Sequence, residues 1–118
     1  MGIIFKHKIA ISYPLLTKET SMTKADMVDI ISGGTGLTKV ETEAVIDAFL
    51  TTLAESMVDG RRVEFRKFGS FGVKKRAPKQ ARNPGTGEAV NLPARYVPVF
   101  KPSRLLRDRV NESLMARE

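Results

Sequence analysis

The chain has 118 residues, 42% of them apolar and 28% charged, which fits one domain with enough apolar content to build a core. Twenty Lys and Arg stand against 13 Asp and Glu, and the formal charge of +7 points to a polyanionic partner, nucleic acid ahead of an anionic membrane surface. With no cysteine and one histidine, His7, the chain lacks the usual parts of disulfide frameworks, metal sites and His-centred relays, so no catalytic role, metal or cofactor is expected.

No apolar run approaches the roughly 18–20 residues that a membrane-spanning helix requires. Residues 1–21 are apolar in patches, but Lys6, His7 and Lys8 interrupt them and no small-residue cleavage site follows. They read as a flexible extension, or as sequence ahead of a working start at Met22, which leaves 22–118 as the functional domain.

Charge divides the rest. Residues 23–60 carry two lysines against seven carboxylates, net −5, whereas 61–95 carry ten cations against Glu64 and Glu88, net +8. A chain that coats a membrane with an amphipathic helix would place its cations on the helix instead.

The acidic part reads as two helices. Thr23 caps the first, whose apolar side holds Ala25, Met27, Val28, Ile30 and Ile31, and Gly33, Gly34 and Gly36 are expected to end it in a connector. The second starts at Thr38, which stands three residues before Glu41 at capping-box spacing. Its apolar residues Val45, Ile46, Phe49, Leu50, Leu53, Met57 and Val58 recur at three- and four-residue steps until Asp59-Gly60 stops it. Val40, Ala44, Ala48 and Ala54 widen that stripe beyond what one neighbour covers, so a second molecule is expected against it.

The basic part reads as strands. Arg62 to Arg66 alternates strictly, with Val63 and Phe65 on one face. A turn near Lys67-Phe68-Gly69 leads to a strand with Phe71 and Val73, followed by Lys74, Lys75 and Arg76. From there to Tyr96 the apolar alternation nearly stops, and Pro78, Pro84, Gly85, Gly87 and Pro93 punctuate a basic stretch. A hairpin arm over about 74–95, its tip at Asn83–Gly87, is the reading that leaves no core unfilled. A strand from Tyr96 to Phe100 returns to the body. A C-terminal helix then starts at Pro102-Ser103, with Leu105, Leu106 and Val110 inward.

These residues resemble the bacterial HU and integration host factor proteins from about Met22 to Val110. The resemblance rests on Phe68-Gly69-Ser70-Phe71, Arg76-Ala77-Pro78 and Arg82-Asn83-Pro84-Gly85-Thr86-Gly87. Tyr96-Val97-Pro98, Phe100-Lys101-Pro102 and Leu106-Arg107-Asp108-Arg109 look closer to the integration host factor β subunit than to HU. Both kinds of protein are themselves standard examples of minor-groove binders that kink DNA with apolar wedges.

The resemblance implies an α+β fold: a helical dimerisation body under a three-stranded antiparallel sheet, a long β-hairpin arm, and an intertwined dimer, homodimeric or heterodimeric with a related subunit. It implies binding and bending of double-stranded DNA in the cytoplasmic nucleoid. Pro84 would be the intercalating wedge, with Arg82 and Asn83 beside it in the minor groove. Lys74, Lys75, Arg76 and Lys79 would meet phosphates along the arm, and Arg95 closes the same set. Arg62, Glu64 and Arg66 match positions from which the β subunit touches DNA. Three departures stand out: Ala81 and Lys67 where the family commonly has glycine, and the glycine-rich connector.

By itself, proline in Asn-Pro-Gly is a turn former, and Glu64 can either accept from a cytosine amino group or hold Arg62 and Arg66. Gly33-Gly34-Thr35-Gly36 lacks the strand before it and the Gly-Lys-Ser/Thr after it that a phosphate loop needs. Arg66 to Val73 resembles the aromatic strand of an RNA-recognition module, with Phe68 and Phe71 as stacking platforms, but its register fails. An RNA-binding sheet is therefore the second reading.

Overall fold

The computed structural model describes residues 21–118 and the backbone of two short antiparallel strands, β1 (Gly2–Ile4) and β2 (Ala10–Ser12), with Gly2 facing Ser12. The flexible extension expected over 1–21 falls for the most part outside these residues. The chain divides into two compact units, Met1–Thr52 and Leu53–Glu118. Among the described residues no helix is long and apolar enough to cross a membrane.

In the first unit, α1 (Lys24–Thr35) opens with a full capping box. The Thr23 hydroxyl accepts from the Asp26 amide, and the Asp26 carboxylate accepts from the Thr23 amide. Of the three glycines expected to end the helix, only the last does so. Gly33 and Gly34 lie inside it, and Gly36 at φ 80° ends it, its amide donating to Ser32 O. Each internal glycine costs about 1 kcal/mol against alanine, and the continuing i to i−4 ladder outweighs that cost.

The second helix, α2 (Lys39–Val58), starts as the spacing predicts. Glu41 N–H donates to Thr38 Oγ1 at 3.1 Å and the Glu41 carboxylate accepts from Thr38 N–H at 3.1 Å. The Thr38 hydrogen bonds hold the Glu41 carboxyl below its ordinary range. Lys24 of α1 reaches Asp47 at 2.9 Å and Glu43 at 3.6 Å, and Lys39 reaches Asp29 at 3.2 Å. These pairs are exposed, so solvent screens them and they contribute little to stability.

Among the described residues only the side chains of Val28 and Thr42 are buried, Thr42 completely. On α2, Val40 stays 79% exposed, Val45 61% and Phe49 49%.

The second unit takes over the end of α2 at a Schellman motif, with Gly60 N–H donating to Met57 O and Arg61 N–H to Ser56 O. The body sheet has the order β3 (Val63–Phe65), β4 (Gly69–Arg76), β7 (Arg95–Pro102), antiparallel throughout. Between β4 and β7 lies a hairpin, β5 (Lys79–Arg82) with β6 (Ala89–Leu92). The last helix, α3 (Arg104–Met115), is capped by Ser103, whose hydroxyl accepts from Leu106 N–H. Its Leu106 is half-buried, but Leu105 and Val110 remain 49% and 48% exposed in the single chain rather than facing inward.

The β3–β4 turn explains two residues. Phe68 N–H donates to Phe65 O at 3.0 Å, and Lys67, the third residue of that turn, sits at φ 67°. This is the type II pattern, which favours glycine at that place; a side chain there costs about 1–2 kcal/mol. Gly69 is different: a Cβ on it would stand 2.5 Å from Lys101 O and 2.7 Å from the Phe100 ring. Lys67→Gly should therefore raise stability by about 1 kcal/mol in denaturant unfolding, while Gly69→Ala should lower it by about 2 kcal/mol.

Candidate nucleic-acid interface

The ladder between β4 and β7 pairs Gly69 with Pro102, Phe71 with Phe100, Lys74 with Val97 and Arg76 with Arg95. Facing residues share a side of the sheet and alternate along each strand. One side therefore carries Val63, Phe65, Phe71, Val73 and Phe100. Its rings pack together, Phe71 4.7 Å from Phe100 and 6.0 Å from Phe65, and Phe68 5.5 Å from Phe100. Phe71 is thus engaged with other rings, not laid open as a platform for bases.

The opposite side carries Glu64, Ser70, Lys101, Lys74, Arg76 and Arg95. Lys101 was not anticipated as part of this group, though the alternation Arg95, Val97, Val99, Lys101 in the sequence marks it. Arg62 and Arg66 flank β3 and are exposed. Glu64 approaches Arg62 at 4.0 Å, with both side chains about two-thirds exposed, so it orients that guanidinium only loosely. Lys75 parts from its neighbours Lys74 and Arg76. It faces Tyr96 on the apolar side, and its ammonium lies 5.8 Å from the centre of the Tyr96 ring.

Beyond Arg76 the ribbon pauses and resumes. The pairs Lys79–Leu92, Gln80–Asn91, Ala81–Val90 and Arg82–Ala89 continue the register of β4 and β7 with no residue gained or lost. Carried through the gap, that register sets Pro78 against Pro93. Neither has an N–H to donate, which accounts for the lapse in the ladder. Ala81 pairs with Val90 in the regular register, with no bulge. Counted from Arg76 to Asn83, the free ribbon rises about 23 Å at roughly 3.3 Å per residue. The arm is thus shorter than the span of about 74–95 read from the sequence, because the rungs up to Arg76 and Arg95 belong to the body sheet.

Every residue from Arg82 to Asn91 is exposed. The tip is nonetheless ordered from within. Asn83 N–H donates to Glu88 O at 2.9 Å, Gly87 N–H donates to Asn83 O at 2.7 Å, and Asn83 Oδ1 accepts from Gly85 N–H at 2.9 Å. Arg82 Nη1 donates to Gly87 O at 3.0 Å. Asn83 and Arg82 thus shape the loop that presents Pro84, a role their sequence context did not reveal. Pro84 itself lies exposed at the turn.

The family model for bacterial DNA-binding proteins matches residues 22–111. The integration host factor β subunit of Marinobacter nauticus is 44% identical over 94 residues, covering 79% of this chain and 96% of its own length. The DNA-binding protein HU of Thermus thermophilus is 37% identical over 97 residues, covering 82% of this chain and all of its own. Among solved structures, an Anabaena HU–DNA cocrystal superposes with a TM-score of 0.69 at 36% identity, over 75% of this chain and 97% of that one.

Replacing Asn83 by alanine should release the Gly85 amide and raise its hydrogen-exchange rate without changing exchange in β4 or β7. The loop geometry and these relatives agree: the chain belongs to the bacterial DNA-binding protein family of HU and integration host factor.

Proposed function

We propose that this protein binds and bends double-stranded DNA through the minor groove as a dimer, with itself or with a related subunit, and so helps to organise the nucleoid. The observation that carries the reading is the ribbon from Arg82 to Asn91, wholly exposed and continuous in register with a basic sheet face. A relative solved with DNA supports it. The apolar residues left open on α2 support the dimer, since exposed patches of that kind mark interaction surfaces. We assign residues 22–118 to the DNA-binding domain and give it no catalytic role.

In this reading Pro84 enters between base pairs. A rigid apolar ring unstacks bases without demanding hydrogen bonds, and the flanking contacts offset a few kcal/mol of DNA deformation. Arg82 and Asn83 lie in the groove beside it. Lys74, Arg76, Lys79 and Arg95 neutralise phosphates, Lys75 does so from the other side of the ribbon, and Arg62, Glu64 and Arg66 meet DNA from the body sheet. About eight phosphate contacts per dimer give a log–log salt slope of about −7, a loss of roughly 10⁴ in affinity between 50 and 200 mM salt. Nothing in the aromatic packing or among the relatives favours the RNA-binding reading.

Pro84→Ala should reduce the bend angle measured by FRET on an end-labelled duplex more than it reduces affinity; equal angles for variant and wild type would remove the wedge. Arg82→Ala should weaken binding and shrink the magnitude of the salt slope by about 2 per dimer, one contact from each arm. An unchanged isotherm at two salt concentrations would count against the groove contact.

A further inference from the structure

Side-chain acceptors at the arm's tip are mostly spent within the tip itself. Asn83 Oδ1 accepts from Gly85 N–H at 2.9 Å, and Thr86 Oγ1 accepts from Glu88 N–H at 3.3 Å. Arg82 has only donors, one of which goes to Gly87 O at 3.0 Å. Glu88 is the exception. Its side chain is exposed, and among the described residues its carboxylate has neither an ion pair nor a hydrogen-bond partner. Residues 61–95 hold two carboxylates among ten cations, and Glu64, the other one, stands beside Arg62.

The backbone fixes where that carboxylate goes. Glu88 O accepts from Asn83 N–H at 2.9 Å, one rung beyond the pair Arg82–Ala89, so Glu88 stands across from Asn83 at the base of the loop that presents Pro84. A groove that receives Pro84 receives Glu88 with it. Phosphates repel a carboxylate, most of all in the narrow minor groove of an A-tract, where the negative potential is enhanced. One group on the base edges of the minor groove offsets this. Guanine presents its 2-amino donor there, whereas A·T pairs present acceptors alone.

We propose that Glu88 is a specificity-determining residue of the arm, its carboxylate accepting from a guanine 2-amino group beside the base step that Pro84 opens. The proposal rests on the DNA-binding reading above and adds a base preference to it. A G·C pair next to the wedge supplies the donor and lacks the narrow, strongly negative groove of an A-tract. An A·T pair leaves the carboxylate without a donor and close to phosphates, which costs binding free energy on both counts. The cations of the arm hold either duplex, and Glu88 discriminates between them.

The test is equilibrium binding of the full-length protein to four duplexes of one length, each with unpaired thymines that fix the two kink sites. The base pair flanking each kink is G·C, inosine·C, A·T or 2,6-diaminopurine·T. Inosine lacks the 2-amino group of guanine and diaminopurine adds it to adenine, so the amino group is varied on both kinds of pair. Wild type should bind the G·C and diaminopurine·T duplexes about fivefold to tenfold more tightly than inosine·C and A·T. Glu88→Ala should bind all four alike. Glu88→Gln, which keeps an acceptor without the charge, should retain part of the preference. Equal wild-type affinities, a G·C preference that inosine·C shares, or a preference that survives in Glu88→Ala would overturn the assignment and leave the DNA-binding reading in place. Absence of salt-dependent binding to any of the four duplexes would overturn that reading, and the role of Glu88 with it.

Discussion

The register that sets Gly69 against Pro102 reaches Arg82 against Ala89 without a slip, straight through the gap between Pro78 and Pro93. Side chains alternate with a period of two, so a slip of one residue would send Lys74 and Arg76 to the aromatic side and Phe71 to the basic side. Two features hold the register at the body end. Gly69 has no room for a Cβ against Lys101 and Phe100, and the four phenylalanine rings pack only when Phe71 faces Phe100. The basic face is therefore a consequence of apolar packing on its reverse. Lys74 and Arg76 point away from the rings because Phe71 and Val73 point toward them.

Coverage is the second constraint. Among the described side chains only Val28 and Thr42 are buried, and many of the large apolar ones stay exposed in the single chain. Fully burying a Val, Leu or Phe side chain is worth about 1.5–3 kcal/mol. Val40, Val45, Phe49, Leu50 and Val58 on α2, with Leu105, Val110 and Leu114 on α3, thus represent stabilisation that one chain does not realise. Exposed apolar residues in such number mark an interaction surface, which is where the proposed dimer would form.

Signals confined to a few neighbouring residues were legible in the sequence. Thr38 and Glu41 form the capping box that their spacing predicts, Asp59-Gly60 ends α2, and the alternation around Val63 and Phe65 gives a strand in the expected place. The arm's tip follows from Asn-Pro-Gly, because that tripeptide needs no distant partner to turn. What escaped depends on pairing across the chain. Pro78 is a local breaker in the sequence, but its alignment with Pro93 exists only once the register is fixed. The same holds for Arg76 facing Arg95, nineteen positions away. Lys75 looks like one more arm cation until the alternation turns it toward Tyr96. Gly33 and Gly34 misled for the opposite reason: their intrinsic preference is weak, and a helix already nucleated at Thr23 carries on through them to Gly36.

Lys67 shows how a residue can hold a conformation its type disfavours. Its carbonyl accepts from Ser103 Oγ at 2.9 Å, and the next carbonyl, that of Phe68, accepts from Ser103 N–H at 2.8 Å. The same hydroxyl accepts from Leu106 N–H and so starts α3. One serine thereby fixes two consecutive peptide units of the turn and the first turn of a helix, and the left-handed φ at Lys67 is determined from outside the turn. Strain persists where its surroundings over-determine it. Glycine at this position would remove the strain, but it would also remove a cation from the rim of the basic sheet face beside Arg66. The cost of about 1–2 kcal/mol in backbone strain is comparable to what a charge-assisted hydrogen bond contributes. A lysine therefore holds a glycine's conformation here because Ser103 fixes both peptide units around it.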